Sequence, residues 1–150
     1  MKRSDFWFFH SFRVRYSEID AQAVVFNAHY LTYYDTAIAE YFRALDFDLF
    51  ADATETGVDF HTVRSVVEYK APVRYDQQID VGVRTGQIGR SSIRFDLAVF
   101  GKDTDDLYTT GEIVWVNTDQ TTHKTVPVGE PMRRLLASRE PHLEAALQPA

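Results

Sequence analysis

Residues 16–47 read YSEIDAQAVVFNAHYLTYYDTAIAEYFRALDF, and this stretch decides the fold. From Ala28 onward its apolar residues recur at intervals of three and four, which is the period of an α-helix. They are Leu31, Tyr34, Ala37, Ile38, Tyr41, Phe42 and Leu45. The pattern predicts one long helix from Ala28 to about Asp46. An acidic turn over residues 18–25 precedes it, and the side chain of Asn27 is expected to cap its start.

The predicted helix is apolar over more of its circumference than an ordinary surface helix, because Tyr30 and Ala39 widen its apolar stripe. Such a helix must be covered on more than one side, and a curved sheet wrapped around it would do this. Asp35 lies at the edge of the apolar sector, where a buried carboxylate needs a polar partner. Two roles are open for Asp35 at this point, a structural hydrogen bond and a contact with substrate.

Five segments of the chain have the alternating apolar and polar residues of β-strands. The first strand is predicted over residues 12–16, and residues 6–9 could extend it. The others are predicted at 61–71, 79–87, 93–99 and 107–117. Short polar turns join the last four strands, so we expect antiparallel neighbours. Residues 47–60 have no clear period and predict a loop, in which a short helical turn could occur. Residues 131–138 predict a closing helix, and residues 142–147 could form a short helical piece.

The composition bounds the class of protein. The chain has 150 residues, 45% of them hydrophobic, no cysteine and a formal net charge of −6. We predict a single domain over residues 1–150, since this length can bury a real core. An acidic chain lacks the basic surface of a nucleic-acid binder. The sequence also has no apolar run of about 18 residues, the length that a membrane-spanning helix needs. No metal site is expected, and the lack of cysteine fits a cytoplasmic protein.

The segment DAQAVVFNAHY, residues 20–30, resembles the signature of the 4-hydroxybenzoyl-CoA thioesterase family of hot-dog proteins. The matching positions are Asp20, Val25, Phe26, Asn27 and Tyr30, with Asp35 at a further acidic position common in the family. One position departs from the signature, because the family's usual glycine is Ala23. Glycine would allow a positive φ, whereas we expect Ala23 to take an ordinary αR or β conformation.

The resemblance implies an α+β hot-dog fold. In this fold a five-stranded, mostly antiparallel sheet wraps around one long central helix, and here a C-terminal helix follows. The resemblance also implies an acyl-CoA thioesterase without a metal or redox cofactor, since coenzyme A is part of the substrate and product. Subunits of this family pair through their sheets, with the active site at the boundary, so a homodimer or homotetramer is expected.

The resemblance also assigns catalytic roles. Asp20 is the expected catalytic carboxylate, acting as a nucleophile or as a general base, and these two roles remain open. The backbone N–H of Asn27, at the start of the helix, is the expected oxyanion donor. The side chain of Asn27 could cap the helix, contact substrate, or do both. For Asp20 the alternative is a turn residue that only hydrogen-bonds to local backbone.

Substrate contacts are expected from a second set of residues. These are Glu18, Val25, Phe26, Tyr30, Asp35 and Phe60. Glu18 could instead be a salt-bridge partner, and Tyr30 and Phe60 could be core residues. The turn Gly89, Arg90, Ser91 and Ser92 resembles the one that helps to bind the nucleotide end of coenzyme A in this family. Arg90 could pair with a phosphate there, and an ordinary hairpin turn is the alternative.

Other functions remain open alongside the acyl-CoA thioesterase. A thioesterase for acyl carrier protein would have the same chemistry with a basic docking patch near its tunnel. A non-catalytic acyl-CoA-binding protein is favoured by Ala23 and opposed by the presence of Asp20 beside the helix start. A hydratase is less favoured, because His29 is the only histidine on the predicted helix.

Overall fold

A computed structural model describes residues 1–147 of the chain. The five strands within this range are β1 (Phe8–Arg13), β2 (Val58–Tyr69), β3 (Gln78–Ile88), β4 (Ser92–Gly101) and β5 (Leu107–Asp119). The α-helices within it are α1 (His29–Ala44), α2 (Leu49–Thr56) and α3 (Glu130–Ala137). Short 3₁₀ segments occur at Arg3–Asp5, Tyr16–Glu18 and Pro141–Leu147.

The strands form one sheet in the order β1-β3-β4-β5-β2, and each neighbouring pair is antiparallel. The helix α1 lies between β1 and β2 in sequence and packs against one face of this sheet. The α+β hot-dog architecture predicted from the sequence is therefore confirmed. Within residues 1–147, no helix is both long enough and apolar enough to cross a membrane.

The core lies between α1 and the concave face of the sheet. The buried residues of α1 are Tyr30, Tyr33, Tyr34, Ala37, Ile38, Tyr41 and Phe42. Three of these tyrosines form hydrogen bonds to buried side chains through their hydroxyl groups. The pairs are Tyr33 with Glu18 at 2.9 Å, Tyr34 with Thr109 at 2.8 Å and Tyr41 with Thr85 at 2.8 Å. Each hydrogen bond removes the cost of burying a hydroxyl group. These contacts fix the rotation of α1 against the sheet.

Two residues that were expected in the apolar face of α1, Leu31 and Ala39, are exposed. Leu31 was expected in the apolar face, yet its side chain is 41% exposed. Tyr33 is buried instead. Leu31 lies seven and eleven residues before the buried Ile38 and Phe42, which puts it on the same side of the helix. Its exposure therefore follows from its place in the first turn of α1 and not from a different rotation of the helix.

The end that the sequence predicts for the first strand is wrong. The first strand ends at Arg13, and Tyr16 enters a 3₁₀ turn with 78% of its surface exposed. The alternation of apolar residues continues past the end of the strand, because Val14 is buried although it lies outside β1. Residues 47–60, predicted as a loop in which a short helical turn could occur, contain the two-turn helix α2, and Asp48 caps its start by accepting the Ala51 N–H at 3.0 Å.

The C-terminal segment packs against β3. Glu140 is buried and accepts the backbone N–H of Thr85, and the His142 ring bonds to the Thr85 carbonyl at 2.8 Å. Burial raises the pKa of Glu140 to about 7, and the Thr85 N–H and the Arg84 charge oppose this rise only in part. The helix predicted at 131–138 is α3. A single domain over 1–150 stays a prediction, since residues 148–150 lie outside the described range.

Candidate active site

The acidic turn before α1 is a tight backbone loop. An isolated bridge pairs Ile19 with Val25, and inside it the Asp20 N–H donates to the Val24 carbonyl at 3.0 Å. The Ala23 N–H donates back to the Asp20 carbonyl at 2.9 Å. The Asp20 carboxylate is half-buried and accepts the Gln22 N–H at 2.8 Å. That bond uses one oxygen of the carboxylate, so acceptor capacity remains for another partner.

Ala23 adopts the conformation that the sequence analysis did not expect. Its φ is +59°, in the left-handed region, and the prediction of an ordinary αR or β conformation is wrong. The Tyr75 N–H donates to the Ala23 carbonyl at 2.9 Å, and Val24 pairs with Arg74, so the loop is held from both sides. A residue with a Cβ in this region costs roughly 1 kcal/mol relative to its usual conformations. The glycine of the family signature therefore has a conformational reason.

The start of α1 leaves a backbone donor without a partner. The Phe26 N–H donates to the Glu18 carbonyl and the His29 N–H to the Phe26 carbonyl, each at 2.9 Å. Between them, the Asn27 N–H makes no hydrogen bond to any residue in the range 1–147. The Asn27 side chain does not cap the helix as predicted, because the cap position is Ala28. The first N–H groups of a helix have no acceptor within the helix and favour an anionic ligand.

These features surround one pocket of about 340 Å³. Its lining residues are Asp20, Val24, Val25, Asn27, Tyr30, Tyr69, Lys70, Ala71 and Pro72. The rings of Tyr30 and Tyr69 meet edge to face, with centroids 5.3 Å apart. The Tyr69 hydroxyl donates to the Asn27 carbonyl at 3.1 Å. The structure thus brings together Asp20, Asn27, Val25 and Tyr30 from the sequence-based set.

Glu18 lies under this pocket and not in its lining. Its side chain is 6% exposed and accepts the Arg15 backbone N–H at 2.8 Å and the Tyr33 hydroxyl at 2.9 Å. Burial opposes ionisation, but the hydrogen bonds from Arg15 and Tyr33 outweigh it and hold the pKa of Glu18 below its usual value. These contacts match the salt-bridge role that the sequence analysis kept open for Glu18.

Three other candidates lie away from the pocket lining. Phe26 is 45% exposed, with its ring 5.9 Å from that of His29. Asp35 is on the exposed side of α1. Phe60 lies near the other end of β2, where its ring is 5.6 Å from that of Trp115. Within one chain, the structure does not bring these side chains to Asp20.

The turn at Gly89–Ser92 is also remote from Asp20 in the same chain. Gly89 donates its N–H to the Ser92 carbonyl at 2.8 Å, and the Arg133 guanidinium donates to the Gly89 carbonyl at 2.6 Å. The acidic turn lies near the start of β3, because Val24 pairs with Arg74 and the Tyr75 N–H donates to the Ala23 carbonyl at 2.9 Å. The turn at Gly89–Ser92 follows the other end of this 11-residue strand, about 33 Å away at ~3.3 Å per residue.

Sequence reasoning missed the far wall of the pocket. Residues 69–72 form this wall. Their sequence pattern predicted only the end of a strand and no contact with α1. Their contact with the helix start joins residues 42 positions apart in the chain. The available signal was the segment EYKAP, where a proline directs the chain out of the ladder just after an aromatic residue.

The sequence of this chain matches a known family over most of its length. The thioesterase-like superfamily matches residues 14–136. The chain belongs to the thioesterase-like superfamily. This thioesterase-like chain is 32% identical to the acyl-CoA thioester hydrolase YbgC of Escherichia coli over 83 residues, which are 55% of the chain and 61% of YbgC.

Solved structures agree with the fold of this thioesterase-like chain. The PA5185 protein from Pseudomonas aeruginosa superposes with a TM-score of 0.80 at 26% identity, over 92% of this chain and 94% of that one. Slr0204, a 1,4-dihydroxy-2-naphthoyl-CoA thioesterase from Synechocystis, also gives a TM-score of 0.80, at 15% identity, and covers 89% of this chain and 97% of its own. These likenesses confirm the predicted hot-dog fold. The match to the thioesterase-like superfamily bears out the prediction of a thioester hydrolase.

Proposed function

We propose that this protein hydrolyses acyl-CoA thioesters in the pocket at the N-terminal end of α1. One observation carries the proposal: Asp20 and Asn27 line the same pocket, and the Asn27 N–H has no partner among the described residues. Thioester hydrolysis needs a group that delivers a nucleophile and a donor that stabilises the oxygen of the attacked carbonyl. Asp20 and the Asn27 N–H are of these two kinds.

In the proposed reaction the thioester carbonyl oxygen accepts the Asn27 N–H. As negative charge develops on that oxygen, the N–H and the positive end of the α1 dipole stabilise it, and each such donor typically contributes ~3 kcal/mol. Asp20 either takes a proton from the attacking water or attacks the carbonyl carbon itself. In the second case an anhydride forms at Asp20 and water then cleaves it. Both routes break the C–S bond and give a carboxylic acid and coenzyme A.

The remaining lining suits an acyl group and its carrier. Val24, Val25 and Pro72 give apolar walls, and the ring of Tyr30 adds an aromatic one. Lys70 is the one cationic residue of the lining and is about half exposed. Its ammonium group is 3.4 Å from Glu68, a weak surface pair. Lys70 can therefore turn towards a phosphate of coenzyme A at modest cost.

We further propose a homodimer that forms through the free edge of β2. This strand has no partner on its outer side among residues 1–147, and Val63 at its middle is 59% exposed. A long exposed edge favours pairing with another strand. Antiparallel pairing of β2 with its copy would place the two ends of the strand beside each other. The tetramer stays a further possibility of the family resemblance.

This pairing would bring the pocket of one subunit near the Gly89–Ser92 turn of the partner subunit. Ser92, Val116 and His61 lie in one row across β4, β5 and β2. If β2 pairs with its copy symmetrically about the midpoint of Val58–Tyr69, the partner's row ends beside Val66 of this chain. Ser92 of the partner subunit would then be three strand spacings away from Val66, or about 14 Å. Val66 lies three residues before Tyr69, so coenzyme A could contact the pocket of one subunit and the turn of the other.

The test is coenzyme A release from a panel of short, long, branched and aryl thioesters. Wild type is compared with Asp20→Asn, which keeps the shape of the side chain and removes its charge. The matched control is Asp105→Asn, because Asp105 is an exposed carboxylate that is neither in the pocket lining nor among the candidate site residues. We expect turnover by wild type and the control, with a loss of about 100-fold or more in Asp20→Asn.

Two results would contradict the proposal in different ways. Equal turnover by wild type and Asp20→Asn would remove Asp20 from the chemistry. Binding of acyl-CoA without release by any protein would favour a non-catalytic acyl-CoA-binding protein or a substrate carried on acyl carrier protein. Cytoplasmic location and the lack of a metal or redox cofactor stay predictions of the sequence.

A further inference from the structure

Tyr69 makes a long-range contact with the start of α1. Its hydroxyl donates to the Asn27 carbonyl at 3.1 Å, and its ring meets that of Tyr30 edge to face at 5.3 Å. Tyr69 is 54% exposed, so this hydrogen bond does not satisfy a buried hydroxyl. An exposed tyrosine gains little stability from one hydrogen bond to a carbonyl that water could also reach. The contact therefore calls for a role other than stability of the fold.

The backbone of Tyr69 is fixed independently of its side chain. Tyr69 is the last residue of β2 and pairs with Thr109. Immediately afterwards, the N–H groups of Lys70 and Ala71 both donate to the Tyr108 carbonyl, at 2.8 and 3.1 Å. These bonds anchor the end of the strand to β5. The Tyr69 ring thus extends from a rigid base across the pocket to α1.

The accepting carbonyl belongs to the peptide that joins Asn27 to Ala28. A hydrogen bond at this carbonyl fixes the plane of this peptide. It thereby restricts the backbone dihedral angles of Asn27, which relate this plane to the peptide that carries the Asn27 N–H. The preceding peptide, which joins Phe26 to Asn27, is held by the His29 N–H, which donates to the Phe26 carbonyl at 2.9 Å. Asn27 is therefore held on both sides while its own N–H stays free. Donation to this carbonyl also polarises the peptide and strengthens the N–H at its other end, that of Ala28, which likewise makes no hydrogen bond to any residue in the range 1–147.

We propose that Tyr69 is a positioning residue that orients the oxyanion donors at the start of α1. This inference rests on the proposed function, because it assigns the free N–H groups to the thioester oxygen. Tyr69 acts through the Asn27 peptide, and its hydroxyl is already engaged there. Donors aligned before the reaction act most strongly when charge develops in the transition state. Loss of the hydroxyl should then lower the rate of the chemical step more than substrate binding.

The test compares wild type with Tyr69→Phe, which keeps the ring on Tyr30 and removes the hydroxyl. The matched control is Tyr75→Phe, an exposed tyrosine that does not line the pocket. We expect kcat to fall about 10-fold in Tyr69→Phe with KM changed less than about 2-fold, because the loss is confined to the transition state. Tyr75→Phe should match wild type in both constants.

Two inhibitors separate positioning from binding. A trifluoromethyl ketone analogue of the best thioester substrate adds a nucleophile and so carries an oxyanion. A thioether analogue without the carbonyl group has no oxygen at that place. Tyr69→Phe should weaken binding of the ketone about 10-fold and leave binding of the thioether unchanged. The Ala28 amide resonance should also move, since its peptide loses a hydrogen bond.

Each failure has its own meaning. An unchanged kcat in Tyr69→Phe, with Asp20→Asn inactive, would overturn the role of Tyr69 and leave the proposed function standing. Equal weakening of the ketone and the thioether would also overturn it, because Tyr69 would then act in binding. No coenzyme A release by wild type from any thioester would overturn both the proposed function and the role of Tyr69.

Discussion

The two ends of α1 each border a cavity, and only one end is suited to thioester chemistry. The cavity at the C-terminal end is the larger, about 400 Å³ against about 340 Å³. Its lining is Ala39, Phe42, Arg43, Asp46, Phe47, Asp48, Leu49 and Phe50. Two carboxylates lie there beside the negative end of the helix dipole, which disfavours a developing oxyanion. The N-terminal pocket has the opposite field and a free backbone donor, so field and donors identify the site better than volume does.

The carboxyl groups packed near α1 also differ between its two halves. Glu18, below the N-terminal end, has donors that lower its pKa. Glu140 reaches Thr85 beside Tyr41, in the C-terminal half, and its pKa is raised to about 7. The two glutamates should therefore give opposite dependences of stability on pH. Substitution of each glutamate by glutamine tests this difference.

The largest expected effect is at Glu140. Its pKa is raised in the folded state, so its contribution to stability is complete below about pH 4.5 and is lost as pH rises through about 7. The rise corresponds to about 3 kcal/mol at ~1.4 kcal/mol per pKa unit. Glu140→Gln should therefore gain stability on wild type from pH 5 to pH 8. Urea unfolding at both pH values measures this, and a gap that is independent of pH would contradict it.

Glu18 should behave in the opposite way. Its pKa is lowered in the folded state, so its contribution is present above the unfolded value near 4.5 and is lost as pH falls. Glu18→Gln breaks the pair with Arg15, which is itself 61% exposed, and should cost roughly 2 kcal/mol at pH 7. The difference from wild type should shrink below pH 4. Denaturant unfolding at pH 7 and pH 3.5 tests this, and a difference that grows in acid would exclude the pairing.

How much of this comparison the sequence predicts depends on the range of the interactions. The long helix, the five strands and the segment from Asp20 to Tyr30 follow from local periodicity and a short motif. The helix α2 has only eight residues, and its mostly polar sequence shows no clear helical period of apolar residues. The left-handed Ala23 depends on hydrogen bonds from Tyr75, some 50 residues away in the chain. Tyr69 could not be placed, because nothing local links the end of β2 to the start of α1.

Filling each cavity with the same side chain tests which end binds substrate. Ala71 lines the N-terminal pocket and Ala39 lines the C-terminal cavity. Ala71→Trp should lower kcat/KM at least about 10-fold, equivalent to ~1.4 kcal/mol, by occupying the space of the acyl group. Ala39→Trp should change it less than about 2-fold. Steady-state kinetics on one thioester decides between them, and the reverse order would assign the acyl group to the C-terminal cavity.

The smallest expected effect concerns the acidic turn itself. Ala23→Gly removes the Cβ from a left-handed residue, and the turn should become more stable by roughly 0.5–1 kcal/mol, since strain at Ala23 outweighs the added freedom of the unfolded chain. A matched control is Ala21→Gly, which has no positive φ to relieve and should be neutral or destabilising. Thermal unfolding of both variants measures the difference. Destabilisation by Ala23→Gly would show that the turn carries no strain at this residue.

The most direct test of the N-terminal site is to locate the carbonyl oxygen by NMR. A ketone analogue of acyl-CoA, with the sulfur replaced by a methylene group, keeps the carbonyl and cannot be hydrolysed. On its addition to the ¹⁵N-labelled wild-type protein, we predict the largest amide shifts at Asn27 and Ala28, with little change at residues 46–50. Largest shifts at residues 46–50, with Asn27 and Ala28 unmoved, would contradict an oxyanion site at the N-terminal end of α1.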